Sequence, residues 1–307
     1  MGVCGRCLHA GRRFDAGPGR SSLRVLPSYN GEPVSVHTYQ VHGNCTLTRM
    51  TKNGAVSEAA KAFQAATERL ADVLPNGLHE RGPRGALLAV TGSMIPMLNS
   101  IMSVTDVPDA AEIELLCERA APHVARLPWS IRLRGEPGAE ILGIAAAHGL
   151  RTLTQQPFML LSLDEDRDNR ESGQGTVTVR PLDDDEHQTF ATVLGAAFGA
   201  PPMIISSLYT PFVLGQPFVR AYLAEVDGVP AGAGLAILTE GHVGLANIGT
   251  LRDHRRQGVG RAVTEAVLRD GRAAGARTAY LHSSDEALPL FEQVGFRTEE
   301  SWATFTA

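Results

Sequence analysis

A strand that runs through a turn rich in arginine and glycine into a helix constrains this chain more than any other feature. It spans residues 247–261, and its turn reads Arg-Arg-Gln-Gly-Val-Gly at 255–260. Gly258 and Gly260 have no Cβ, so the backbone can turn tightly and a ligand can approach its amides. The first amides of a helix lack intrahelical partners and carry the positive end of its dipole, which suits a pyrophosphate. The stretch therefore predicts an anion site.

The pattern of a strand, Arg-x-x-Gly-x-Gly and a helix resembles the acyl-CoA pyrophosphate loop of the GNAT superfamily of N-acyltransferases. Two other phosphate loops are excluded by spacing, because a Walker loop ends in Gly-Lys-Ser/Thr and a dinucleotide fingerprint requires Gly-x-Gly-x-x-Gly. An ordinary strand-to-helix turn would carry the same residue types in a chain with 32 glycines. The surrounding elements therefore have to support the assignment.

The order of predicted strands and helices over 176–307 resembles a complete GNAT domain, ending in Leu-Phe-Glu-Gln-Val-Gly-Phe at 290–296. The resemblance implies that pantetheine lies along strand residues 247–250, in a gap beside the strand near 281–282. It implies that acetyl-CoA is the co-substrate and that an amine attacks the thioester directly. The cofactor-binding residues that it implies are Ile248, Gly249, Thr250, Arg255, Arg256, Gln257, Gly258, Val259, Gly260 and Arg261.

The leaving thiolate needs a proton, and many GNAT enzymes supply it from a tyrosine at the position that Phe291 occupies here. We expect Ser284 to orient or protonate the sulfur instead, with Ser283 as the alternative; Ser284 would equally serve as a helix cap. The candidates for the base that accepts the amine proton are Glu240 and His282, with His242 as a further alternative. A histidine on a strand is also compatible with a purely structural role.

The first 52 residues carry two pairs of metal-ligand type, Cys4 with Cys7 and His42 with Cys45. Three thiolates and one imidazole suit a structural Zn²⁺, with His37 as an alternative ligand. A segment with so few large apolar residues would not fold by core burial alone. The competing interpretation is a leader whose cysteines are incidental.

An internal repeat divides the rest of the chain. Gly-Leu-Arg-Thr at 149–152 matches Gly-Phe-Arg-Thr at 295–298, and a predicted helix precedes each match. The pattern indicates duplication, although an unrelated α/β domain would alternate strands and helices in the same way. The first copy lacks the Arg-x-x-Gly-x-Gly turn. Its corresponding helix begins with Asp109 and Glu112, whose carboxylates would repel a pyrophosphate.

The expected fold class is α/β (α+β), with two GNAT-like mixed-sheet domains in tandem and a small Cys/His appendage. The predicted ranges are a Cys/His segment at 1–52, a degenerate GNAT-like domain at 53–163, a linker at 164–175 and a catalytic GNAT domain at 176–307. Within the first copy we expect a helix capped by Ser57, a strand over 84–91 and a strand over 158–163.

Composition limits the partners. The net charge of −5 gives no general attraction to nucleic acid or anionic lipid, and no apolar run has the length of a membrane span. The sequence therefore predicts a cytoplasmic N-acetyltransferase, monomeric or homodimeric, that acts on a small-molecule or peptide amine. Two alternatives are a non-catalytic acyl-CoA-binding protein and an enzyme that transfers a longer acyl chain to a peptide or natural-product amine.

Overall fold

The computed structural model describes residues 52–164 and 177–307, within one compact unit. The elements before the gap are α1 (Lys52–Val73), β1 (Leu78–Arg81), β2 (Leu87–Val90), a 3₁₀ turn (Pro96–Leu98), β3 (Asn99–Ser103), α2 (Ala110–Val124), β4 (Ser130–Arg134), α3 (Ala139–Ala147) and β5 (Thr152–Ser162). Those after it are β6 (Val177–Pro181), α4 (His187–Phe198), α5 (Pro202–Leu208), α6 (Pro211–Leu214), β7 (Val219–Val226), β8 (Val229–Thr239), β9 (His242–Thr250), a 3₁₀ turn (Arg252–His254), α7 (Val259–Ala273), β10 (Thr278–His282), α8 (Leu288–Val294) and β11 (Arg297–Thr306).

The eleven described strands form a single mixed sheet in the order β1-β2-β3-β4-β11-β5-β10-β9-β8-β7-β6. The mixed α/β class is confirmed, but the sequence predicts one sheet for each half and the structure has one sheet for both. The halves exchange their last strands: β5 of the first half pairs with β10 of the second, and β11 of the second pairs with β4 of the first. The exchanged strands also pair with each other, so neither half has an open edge at the centre.

The two halves repeat the same local architecture. A parallel strand pair is connected through a helix in each half, β3 and β4 through α2 and β9 and β10 through α7. A further helix then ends in the same way: the Leu150 amide donates to the Ala145 carbonyl at 2.8 Å, and the Phe296 amide donates to the Phe291 carbonyl at 3.0 Å. The glycine before each donor, Gly149 or Gly295, has a positive φ. The two halves share these backbone features, and the duplication inferred from the sequence stays a prediction.

Helices α1 and α4 pack on one face of the sheet. On the other face α7 packs over β6 to β9, and α2 packs over β2 and β3. Small buried alanines on α1, such as Ala59 and Ala60, let this helix approach the strands closely. The helix begins at Lys52 rather than at the predicted cap Ser57. Val56 is buried in the core and the Ser57 hydroxyl accepts a hydrogen bond from Arg134 Nη1 at 3.3 Å, so tertiary contacts extend the helix past the expected cap.

Two strands of the first half differ from the prediction. Strand β1 was not expected, and β5 begins at Thr152 rather than near Phe158. The first residues of β5 are polar and exposed, so no apolar pattern marks them; they are strand because they pair with β11. Helix α2 forms where the sequence predicts a helix, with Asp109 as its N-cap and with Ile113, Leu116 and Val124 among its buried residues.

Two tight hairpin turns connect the strands that lead to the glycine loop. Asp227 and Gly228 join β7 to β8, and Glu240 and Gly241 join β8 to β9; all four residues have positive φ, as two-residue hairpin turns require. No helix in the described ranges is long and apolar enough to cross a membrane.

Candidate functional site

Strands β9 and β10 separate part-way along their length. Their parallel pairing ends where Tyr280 faces Gly244. Strand β9 nevertheless stays paired with β8 as far as Thr250, and β10 stays paired with β5 as far as His282. The last residues of β9 therefore turn one backbone edge towards a gap, which lies where the sequence predicts it.

A β-bulge shapes the β9 side of the gap. Asn247 has a φ of 53°, and the register between β8 and β9 shifts at this point, opposite Gly234. A Cβ on Gly234 would lie 2.6 Å from Val263 of α7 and 2.7 Å from Ile248. Only glycine therefore allows the bulge and α7 to pack this closely.

Helix α7 begins directly beyond the gap and has no side-chain cap. Its N-cap residue is Gly258, which has a φ of 88°. Because glycine has no side chain, it cannot cap the first amides of the helix. The first helical bond runs from the Ala262 amide to the Gly258 carbonyl at 2.9 Å. The amides of Val259, Gly260 and Arg261 precede that bond, so helical geometry leaves them without intrahelical acceptors. They provide donors and a positive dipole end for an anion.

Arginine side chains surround this helix end. Arg255 lies 3.4 Å from the carboxylate of Glu286, and Arg261 lies 2.8 Å from that of Glu265. Both pairs are at the surface, where such interactions contribute little, so a phosphate would compete readily for the arginines. Arg256 is exposed and lies in the turn with a φ of 64°.

A cavity of about 780 Å³ connects the gap, the start of α7 and the start of α8. Its size is that of an ordinary cofactor site. All ten predicted cofactor-binding residues except Gln257 line it. The Gln257 side chain donates instead to the Asp253 carbonyl at 3.0 Å. A second cavity of about 230 Å³ lies beside Asp183 and His187.

Ser284 is the predicted catalytic residue that reaches the cavity. Its Oγ accepts a hydrogen bond from the Ala287 amide at 3.3 Å, which leaves the hydroxyl proton free to point elsewhere. The alternative, Ser283, is buried and donates to the Ser284 carbonyl at 2.8 Å. Ser283 therefore stabilises the turn, while Ser284 faces the site.

Glu240 and His242 lie away from the cavity, contrary to the role expected of them. Glu240 is an exposed turn residue, and His242 Nδ1 lies 2.9 Å from its carbonyl oxygen. The cavity begins at Ile248, six residues further along β9, which corresponds to about 20 Å of strand. Proximity along the sequence suggested these residues, but the strand carries them to the opposite end of the sheet.

His282 ends β10 at the gap but points to the face that α1 covers. Its ring contacts those of Phe63, Phe158 and Trp302, with centroid distances of 4.8, 4.9 and 5.0 Å. Both ring nitrogens are buried without a hydrogen-bond partner in the described ranges. Burial, together with the nearby charge of Arg132, holds its pKa well below the ordinary 6.5. The imidazole is therefore neutral at neutral pH.

Phe291, at the position where many GNAT enzymes have tyrosine, belongs to the core. Its ring packs edge-on against Phe296 at a centroid distance of 5.9 Å. The residue therefore offers no hydroxyl at this position.

Tyr209 and Asn247 form a polar pair beside the gap that was not predicted as part of the site. The Asn247 side chain donates to the Tyr209 hydroxyl. Burial raises the pKa of Tyr209, so its hydroxyl stays protonated and retains a proton to donate. An asparagine at the end of an apolar strand was the only sequence signal, because the segment before Tyr209 carries no motif.

The predicted zinc ligands Cys4, Cys7, His42 and Cys45 lie outside the described residues. The ranges that the structure describes contain no group of histidine, cysteine and carboxylate side chains that would hold a metal. Cys117, in contrast, is a core residue of α2, and burial raises the pKa of its thiol to about 12.

Residues 181–296 match the sequence profile described as the Acetyltransferase (GNAT) family. This part of the chain is a GNAT-family acetyltransferase domain. The matched residues include β9, α7, β10 and α8, and so contain the cavity and the gap. No curated protein matches the chain by sequence.

The resemblance to solved structures extends over both halves. A GCN5-related N-acetyltransferase from Kribbella flavida has 20% identity and a TM-score of 0.58, over 82% of this chain and 95% of that one. A functionally unknown conserved protein from Staphylococcus epidermidis ATCC 12228 has 16% identity and a TM-score of 0.54, over 76% and 95%. A GCN5-related N-acetyltransferase from Sphaerobacter thermophilus has 16% identity and a TM-score of 0.51, over 72% and 80%. At these identities the likeness shows the fold alone.

Proposed function

We propose that this chain moves an acetyl group from acetyl-CoA to an amine by direct attack. The observation that carries the proposal is the free edge of β9, which leads without interruption into the uncapped N-terminus of α7. An extended ligand with amides at one end and a pyrophosphate at the other matches that surface. Acyl-CoA has this combination.

Each part of acetyl-CoA has a complementary part of the site. Backbone groups of Ile248 and Thr250 would pair with the pantetheine amides in the manner of an added strand. The amides at the start of α7 would bind the pyrophosphate, with Arg255, Arg256 and Arg261 adding positive charge. The thioester would then lie near the bulge, between β9 and the end of β10.

The transfer step requires one nucleophile and one proton donor. The amine nitrogen attacks the thioester carbonyl carbon, a C–N bond forms, the C–S bond breaks, and the nitrogen loses one proton. The departing sulfur takes up one proton, so the products are an amide and free CoA. Ser284, which lines the cavity, is one candidate donor, and Tyr209, hydrogen-bonded to Asn247 of the bulge, is an alternative.

His282 remains the candidate for accepting the amine proton. Its neutral imidazole lies at the end of β10, directly beside the gap, and its nitrogens make no competing hydrogen bond with described residues. Glu240 loses this role because its turn lies at the opposite end of β9.

A non-catalytic acyl-CoA-binding protein is the second candidate function, and Phe291 is the observation that favours it. Without the usual tyrosine, the domain would bind acyl-CoA and not turn it over. Transfer of a longer acyl chain keeps the same chemistry and changes only the donor. Acyl-CoA binding alone does not distinguish these functions, because all of them use the glycine loop.

Calorimetric titration with acetyl-CoA, followed by measurement of CoA thiol release over a panel of amines, tests the proposal. Binding with amine-dependent release supports the transferase. Binding without release by any amine supports the non-catalytic function, and faster release from longer acyl-CoA donors identifies a different acyl chain. Absence of binding would contradict the assignment of the glycine loop.

Four further expectations are parts of this proposal. They are a small-molecule or peptide amine acceptor, a cytoplasmic location, a monomeric or homodimeric state, and structural zinc bound by residues 1–52. The division at 53–163, 164–175 and 176–307 likewise remains a prediction, and most of the predicted linker lies outside the described residues.

A further inference from the structure

Arg132 is a buried cation for which the described part of the protein provides no anion. It lies on β4 with 5% of its surface exposed, on the sheet face beneath α1. Its guanidinium carbon lies 4.9 Å from the centre of the Phe63 ring. Within the described ranges, Nε has no hydrogen-bond partner and no carboxylate forms an ion pair with the guanidinium group. Burial lowers the pKa of Arg132 to about 10, so it is still charged at neutral pH.

Arg134 lies two residues further along the same strand and on the same face, and its charge is balanced by carboxylates. It binds the carboxylate of Glu300 through Nε and Nη2, at 2.9 and 2.7 Å, and that of Asp106 at 2.9 Å. The protein therefore supplies carboxylates for one buried arginine of the pair and none from the described residues for the other. An unpaired charge in such a position is strongly unfavourable, and departures of this kind concentrate at functional sites.

Other polar atoms on the same sheet face as Arg132 also lack partners in the described ranges. They are spread over neighbouring strands of the same face, from β3 to β10. The atoms are Ser100 Oγ, Thr304 Oγ1, Gln156 Oε1, Tyr280 Oη and both ring nitrogens of His282. A buried polar group without a partner is costly, and several together on one face indicate a surface made for a polar ligand.

This face leads to the gap where transfer would occur. Phe63 contacts both Arg132 and His282, and His282 ends β10 two residues before Ser284. Ala246 and Asn247, on the β9 side, are half-buried. An acceptor bound here would approach the thioester from the face opposite α7.

We propose that Arg132 binds a carboxylate of the amine acceptor, so that the substrates are amines that also carry a carboxylate group. The proposal rests on the proposed transferase function. The planar fork of a guanidinium matches a carboxylate, with two parallel hydrogen bonds. Beyond Arg132, the unpartnered groups on this face are neutral, so one positive charge suits a monoanion better than a phosphate.

The first test compares acceptors that differ only in charge. CoA release from acetyl-CoA is measured with α-amino acids and with ω-amino acids of increasing chain length, each beside its carboxamide. The wild-type kcat/KM should favour the acid by about 10- to 100-fold, and Arg132→Met should remove that preference. Equal use of acid and amide by the wild type, or an unchanged preference in Arg132→Met, would overturn the proposal.

A second test does not depend on finding the acceptor. Sodium acetate should raise the thermal unfolding midpoint of the wild type more than sodium chloride at equal ionic strength. This difference should be smaller in Arg132→Met, in which only the general effect of the salt remains. Arg132→Lys, which keeps the charge and loses the fork, should show a smaller difference and serves as the second variant if Arg132→Met does not fold. Identical responses of wild type and variants would refute carboxylate binding at this residue.

Titration with acetyl-CoA distinguishes failure of the transferase proposal from failure of the proposal that Arg132 binds a carboxylate. Arg132→Met should bind acetyl-CoA like the wild type, because Arg132 does not line the cavity. Failure of the wild type to bind acetyl-CoA would reject the transferase, whereas normal acetyl-CoA binding with no carboxylate effect would reject only the role of Arg132.

Discussion

The two parallel strand pairs of this molecule end in opposite ways. In the first half, β3 and β4 stay paired through Ser103 and Leu133, and the following helix is capped by the Asp109 carboxylate, which accepts from the Glu112 amide at 2.8 Å. In the second half, β9 and β10 separate after Gly244, and the following helix begins at a glycine that caps nothing. We call each strand pair together with the start of its helix a junction. The first junction is closed, because its strands stay paired and its helix has a side-chain cap; the second is open, because it has neither.

The difference shows how a ligand site arises within a repeated architecture. In the closed copy, the Glu112 carboxylate also accepts from the Arg84 amide at 2.6 Å, so local acids occupy the space near the helix start. In the open copy, no side chain of the described residues caps the corresponding amides. The candidate site is therefore the junction at which the described residues supply no side-chain cap, and the closed copy is a control within the same molecule.

The largest effect is expected from closing the open junction. Gly258→Asp would place a carboxylate at the start of α7 and should weaken acetyl-CoA binding about 1,000-fold, through loss of charge-assisted hydrogen bonds and repulsion of the pyrophosphate. Calorimetry measures the affinity. Gly275→Asp is the matched control, because Gly275 also has a positive φ and open space but lies at the other end of α7. Similar losses in both variants would assign the effect to backbone strain.

A smaller effect is expected at the start of the next helix. Ser284 corresponds to Gly138 in the first half: the Leu288 amide donates to the Ser284 carbonyl at 3.0 Å, and the Leu142 amide donates to the Gly138 carbonyl at 3.1 Å. Ser284→Ala should lower kcat about 100-fold with little change in KM, if its hydroxyl serves the leaving sulfur. Steady-state kinetics checks this, with Tyr209→Phe beside it. An unchanged kcat in Ser284→Ala would leave Tyr209 as the remaining donor.

Opening the closed junction should affect stability and not binding. Asp109→Ala removes the cap of α2 and should reduce the free energy of unfolding by about 1 kcal/mol. Acetyl-CoA affinity should stay at its wild-type value, because α2 does not border the cavity. Urea unfolding and calorimetry give the two readouts. Altered acetyl-CoA affinity would contradict the separation of the two junctions.

The smallest effect concerns the strand ends. Strand β4 ends at Arg134, which is paired with Glu300, whereas β10 ends at His282, whose nitrogens lack partners in the described ranges. Burial, with Arg132 nearby, depresses the pKa of His282 below 6.5. Below pH 6.5 the unfolded chain therefore binds a proton that the folded chain does not, and the free energy of unfolding falls as the pH falls towards the folded pKa. In His282→Gln, the free energy of unfolding should fall less steeply with decreasing pH than in the wild type. Urea unfolding at several pH values measures this dependence, and equal pH dependence in both proteins would show that His282 does not contribute.

The sequence predicted the open junction because its determinants are local. Glycines at 258 and 260, arginines around them and an amphipathic helix after them are enough to expect an anion site, and nine of the ten predicted residues line the cavity. The strand exchange was not predicted, because equivalent last strands carry the same pattern and would satisfy either pairing. Arg132 and Tyr209 were missed for a related reason: they approach the gap only after α1 and the α5–α6 segment pack against the sheet.

Hydrogen exchange with and without acetyl-CoA compares the two junctions in a single experiment. Acetyl-CoA should slow the exchange of amides at 245–262, which include the free edge of β9 and the start of α7. Amides at 99–112, in β3 and the start of α2, should exchange at the same rate with and without it. Protection at both junctions, or at neither, would contradict the proposal that the second half alone holds an open acyl-CoA site.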